Sequence, residues 1–134
     1  LVVVNPELKA FMRKIIKQKG SMLAKGFALG SQFETMFKDG LYFELGAKAI
    51  SQAKKLGQVF EENSVKLYKR QESNLVFPIF SKDLAKELQK DFLFEKIQDL
   101  DEDNTVYRFV ARYMTSEDDI SLLNQRLEEY NARS

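Results

Sequence analysis

Apolar residues recur along this chain with two periods, and each change of period marks an element. Leu8, Phe11, Met12, Ile15 and Ile16 stand at helical spacing, and the same face continues through Met22, Leu23, Phe27, Gly30, Phe33 and Phe37. This predicts one long helix or two in series, opened by Asn5 as N-cap with Pro6 at the first helical position. Gly20-Ser21 is the expected kink or restart. Asp39-Gly40 marks the next boundary, after which Leu41, Leu45, Ala49, Leu56 and Phe60 trace a second amphipathic helix to about Asn63.

The second half changes period. "SVKLYK" is a candidate short strand, and "SNLVFPIF" a firmer one, apolar on both faces with Pro78 near its end, where one ladder donor can be spared. Ser81 can cap a third helix with Leu84, Ala85 and Leu88 inward. "DFLFEKI" reads as a strand, "DLDEDN" as an acidic turn and "TVYRFVARY" as the strongest strand of the chain. The last helix opens at "TSEDD", where Ser116 with Asp119 (or Thr115 with Asp118) forms a capping box, and its buried stripe is Ile120, Leu123, Leu127 and Tyr130. The two strands flanking the acidic turn should pair as an antiparallel hairpin. The expected fold class is α+β, a small antiparallel sheet covered by helices.

Composition narrows the chemistry. The chain has 134 residues, enough for a domain with its own core, and its 44% apolar and 31% charged residues are those of a soluble globular protein. It holds neither Cys nor His. Within this chain that excludes a disulfide framework, thiolate chemistry, histidine-based nucleophilic catalysis and the usual zinc sites, and it fits a cytoplasmic setting. A net charge of +1 gives no global field toward nucleic acid or an anionic membrane, and no apolar run approaches the ~20 residues that span a bilayer.

One side chain breaks the pattern. Alternation sets Tyr107, Phe109 and Ala111 on one face of the last strand and Val106, Arg108, Val110 and Arg112 on the other. A guanidinium beside valines is costly unless it meets an anion. That anion is either a carboxylate of this chain or the carboxylate or phosphate of a ligand. Arg112, at the strand end, reads as a solvated charge. Lys9, Arg13, Lys14, Lys17, Lys19 and Lys25 form a basic cluster on the first helical segment, read first as a solvated face and second as a phosphate site. Gly26 and Gly30, four apart in a helix, imply that something approaches that face closely: another helix, a subunit or a ligand. The acidic turn lacks the glycine and terminal glutamate of a calcium loop.

Three collinear segments carry a resemblance. "KGFALGSQFETMFKDGLYFELGAKA" (25–49), "ESNLVFPIFSKDLAKELQKDFLFEKI" (72–97) and "YRFVARYMTSEDDI" (107–120) are similar, in order and spacing, to the C-terminal portion of threonine aldolase-like β-eliminating lyases. Ala111-Arg112-Tyr113 stands where that family usually has Thr-Ser-Trp, and Phe27 where it often has Arg. The family uses pyridoxal 5′-phosphate on the aminotransferase-like fold called type I. The resemblance implies that residues 1–37 are the end of a large-domain strand and a connecting helix, and that 38–134 are the C-terminal small domain.

It further implies that Arg108 binds the carboxylate of an amino-acid substrate. Lys17 and Lys25 would reach the cofactor phosphate of a neighbouring subunit. The implied partners are a large cofactor-binding domain and further copies in a homo-oligomer. The lysine that bonds to the cofactor would lie upstream, so this chain should be inactive alone. The alternative expectation is a non-enzymatic α+β module that binds an acidic partner through its basic N-terminal helix.

Overall fold

The computed structural model describes residues 4–133. It divides between Leu41 and Tyr42 into two compact units. The strand end expected at residues 2–4 lies outside the described residues except for Val4, which is irregular and exposed.

In the first unit the continuous helical face is cut into shorter pieces. Helix α1 (Pro6–Lys9) is capped by Asn5, whose side chain accepts from the Glu7 N–H at 3.0 Å. The chain then turns at Ala10 and Phe11, the latter left-handed at φ 62°, before α2 (Met12–Gln18). The break at Phe11 corrects the expectation of unbroken periodicity: spacing fixes which residues share a face, not whether the backbone between them stays helical. The stop at Gly20 falls where expected. With φ 70° it closes a Schellman motif, Gly20 N–H donating to Lys17 C=O and Ser21 N–H to Ile16 C=O. Helix α3 (Gly26–Phe37) and a 3-10 turn (Lys38–Gly40) follow, with positive φ at Asp39 and Gly40. No residue of α1, α2 or α3 is buried.

Helix α4 (Leu41–Glu62) begins at the boundary and carries its buried residues, Ala53, Leu56, Val59 and Phe60 among them, in its C-terminal half. The second unit is built around β4 (Asn104–Val110), which pairs antiparallel with β1 (Leu75–Val76), β2 (Ile79–Ser81) and β3 (Glu95–Asp99). The predicted strand "SNLVFPIF" is thus two strands in one unbroken register, since Leu75 faces Val110 and Ile79 faces Val106. Pro78 interrupts the ladder because it has no N–H, yet its carbonyl still accepts from Tyr107 N–H at 3.0 Å. Of "SVKLYK" only a bridge from Leu67 to Pro78 forms.

Strand β3 starts four residues later than "DFLFEKI" suggests. The Phe92 N–H still donates to Leu88 C=O, closing the turn of α5 (Lys82–Leu88), and Phe92 and Phe94 pack inward from a loop. The expected hairpin joins β3 and β4 across the acidic turn, where one Asp101 oxygen accepts from the N–H groups of Asp103 and Asn104.

Helices α4, α5 and α6 (Glu117–Asn131) pack on the face of β4 that carries Tyr107, Phe109 and Ala111. Aromatic rings fill the gap: Phe80 stacks on Tyr107 at 4.4 Å, Phe94 on Phe109 at 4.6 Å, and Phe60 meets Phe109 edge-on at 5.1 Å. Ser81 caps α5 and Ser116 caps α6, the latter in the expected box with Asp119. Hydrogen bonds from the Ser116 backbone and then its hydroxyl hold the Asp119 carboxyl below its ordinary value. A depressed folded pKa stabilises above the unfolded value, and that stabilisation is lost as pH falls through the folded one. Ser116→Ala is therefore expected to cost about 1 kcal/mol at neutral pH. The gap from wild type should shrink below the ordinary carboxylate range, where acid dismantles the same box. Urea unfolding at neutral and acidic pH measures both.

Candidate functional site

Arg108 lies in β4 on the face opposite the aromatic core, and its position follows from that core. Tyr107 and Phe109 are locked inward, so the residue between them must point outward. The register of β1 and β2 brackets Phe77 opposite Arg108 on one side. On the other side Glu95 of β3 is its direct partner, and the Glu95 carboxylate accepts from Arg108 Nη2. The Lys69 ammonium sits over the Phe77 ring at 4.0 Å. Lys69 also lines an open groove of about 960 Å3 between α4 and residues 64–71, together with Lys54, Lys66 and Arg70. The groove thus adjoins the sheet face that bears the arginine, and four of its lining side chains, Lys54, Lys66, Lys69 and Arg70, are cationic against one acid, Glu61.

Glu95 was not legible as the partner of Arg108. Counting back from the turn, Asp99 pairs with Thr105 and Gln98 with Val106, a register that would set Lys96 opposite Arg108. A bulge between Lys96 and Gln98 shifts the ladder by one residue and brings Glu95 there instead. Lys96 turns to Asp99 at 2.7 Å, and Asp99 also accepts from the Thr105 hydroxyl at 2.6 Å. These bonds, Lys96 first and Thr105 second, hold the Asp99 carboxyl below its ordinary value.

The arginine is not fully used. Its side chain is 35% exposed and that of Glu95 65% exposed. The Arg108 Nε atom is buried without a hydrogen-bond partner. Of the two anions that the sequence left open, a carboxylate of the same chain is present, but it is solvated and engages one nitrogen of the fork. Arg112 is exposed, as expected of a solvated charge.

The other predicted site residues are in the first unit. Lys17 belongs to α2 and Lys25 precedes α3 as its N-cap residue, and both are exposed, as are Lys9, Arg13, Lys14 and Lys19. Two exposed ammonium groups suit a phosphate but do not by themselves make a cofactor cradle. Gly26 and Gly30 have no atom within 4 Å of where a Cβ would stand, so among the described residues nothing makes the close approach their spacing suggests. No group of three or more acidic side chains among the described residues is placed to hold a metal ion. No helix among them is long and apolar enough to cross a membrane.

Sequence reasoning also missed Gln52. It is buried in α4, and its amide donates to Thr115 C=O at 3.0 Å and to Glu117 at 3.2 Å, tying α4 to the start of α6. Its fellow α4 residue Lys55 pairs with the same glutamate. A Gln in a helical stripe carries no sequence signal for such a contact.

The fold is thus an α+β domain with a small antiparallel sheet, helices on one face and Arg108 on the other. The solved structure of threonine aldolase from Leishmania major is similar to this chain, with a TM-score of 0.83 and 33% identity, over 96% of this chain and 37% of that one. The chain therefore spans little more than a third of the length of that enzyme. No protein-family model matches the chain, and no curated protein sequence does.

Proposed function

We propose that this chain is the substrate-carboxylate-binding portion of a pyridoxal phosphate-dependent lyase of the threonine aldolase type. The observation that carries the reading is the state of Arg108: a guanidinium fixed by a rigid strand, among aliphatic and aromatic neighbours, with an unpartnered Nε and only a solvated counter-ion. The likeness to the Leishmania enzyme supports it. On this reading residues 1–37 lead from a large cofactor-binding domain and residues 38–134 form the small domain. Exposed Leu23, Phe27 and Phe33, with the open Gly26–Gly30 face, support a surface that the large domain or a second subunit covers. Lys17 and Lys25 are the groups of this chain that would meet the cofactor phosphate.

Arg108 acts by position and charge. It draws the amino-acid carboxylate to one place on the sheet face and so fixes which bond at the α-carbon is presented for cleavage. The cofactor, when bound in the rest of such a protein, supplies the electron sink for that cleavage.

The test uses the protein that carries this chain, titrated with L-threonine and with L-threoninamide, which lacks the carboxylate. Wild type should prefer the acid, and Arg108→Ala should abolish the preference. A preference that survives in Arg108→Ala overturns the assignment.

A further inference from the structure

Resting on that reading, we infer that Glu95 is an internal stand-in for the substrate carboxylate, a counter-ion that the amino acid must displace to reach Arg108. The bulge in β3 selects Glu95 as the residue opposite the arginine, where an unbulged hairpin would set Lys96, a like charge. Lys96 is engaged by Asp99, so the hairpin separates its charges into two pairs: one closed on itself, the other on the open face. The Glu95 contact is made to Nη2 and leaves Nε unpartnered, so the glutamate meets the outer end of the guanidinium and does not clasp its side. That outer end is where a carboxylate arriving from solvent would dock. Glu95 lies on β3, all of whose residues are exposed, so its side chain can swing into water with little loss of packing.

The pair has two consequences. It holds the guanidinium toward β3 through Nη2, at the point where a carboxylate would compete for it. It also sets a threshold, because a ligand lacking a carboxylate gains nothing from displacing Glu95. Glu95 is thus a specificity-determining residue that acts through Arg108.

Glu95→Gln keeps size and hydrogen bonding and removes the charge. In the intact protein it should tighten L-threonine binding roughly two- to five-fold at low salt, the worth of an exposed ion pair. The gain should shrink as salt screens the pair. L-threoninamide affinity should not change. In an Arg108→Ala background the Glu95→Gln change should have no effect on L-threonine. Unchanged or weaker L-threonine binding in the single variant overturns the role of Glu95, while the carboxylate reading stands if Arg108→Ala still abolishes the acid preference. A gain of the same size in the Arg108→Ala background also overturns the inference, since Glu95 would then repel the substrate without involving the arginine.

Discussion

Phe60→Ala is expected to cost about 3–5 kcal/mol, the largest stability loss of any single substitution considered, and a large share of what a domain of this size has. Phe60 is 0% exposed at the C-terminal end of α4. Its ring stacks near Phe80 at 6.3 Å and meets Phe109 edge-on at 5.1 Å, so it touches β2 and β4 together. Truncation leaves a cavity between helix and sheet, and the surrounding rings cannot collapse into it without breaking their own stacking. Because Phe109 is the inward neighbour of Arg108, the same cavity loosens the residue that fixes how the arginine faces out. Urea unfolding should show a lower midpoint with an unchanged slope, and near-ultraviolet circular dichroism should report looser aromatic packing. A loss below about 1 kcal/mol would mean that Phe60 is not the link between α4 and the sheet.

What the sequence revealed and what it hid divide along local and long-range lines. The N-caps at Asn5 and Ser81, the capping box at Ser116 and the Gly20 stop were legible because each is decided by a few adjacent residues. The outward placement of Arg108 was legible because strand alternation depends only on parity, and an inward Tyr107 and Phe109 force it. The Phe11 break was hidden, since its left-handed backbone carries no glycine to announce it. The start of β3 was hidden too: Asp91 is drawn across the fold to Arg126 of α6 at 2.7 Å, while the Phe92 N–H still closes the last turn of α5 on Leu88 C=O. The counter-ion of Arg108 depended on a one-residue bulge, which no period in the sequence records. The site's central residue could thus be named from the sequence, but its partner could not.

Arg108→Lys, which keeps the charge, is expected to lose most of the carboxylate affinity that Arg108→Ala loses, on the order of ten-fold or more for L-threonine in the intact protein. Hydrogen bonds to a charged group are worth ~1.5–3 kcal/mol, and each 1.4 kcal/mol is about ten-fold in affinity. Arginine presents a planar fork that matches a carboxylate with two parallel bonds, whereas lysine offers a hydrated point charge on a flexible stem. The strand cannot compensate, because Tyr107 and Phe109 are held in the core and β4 cannot slide to bring a shorter donor forward. Stability should hardly move in either variant. The Arg108–Glu95 pair is solvated on the Glu95 side and worth at most about 1 kcal/mol. Binding and folding therefore separate at this residue: thermal unfolding near wild type together with lost affinity identifies a ligand-binding arginine. The opposite result, intact affinity with a large drop in melting temperature, would make Arg108 a structural half of a cross-strand ion pair and remove the ground for placing a substrate on this sheet.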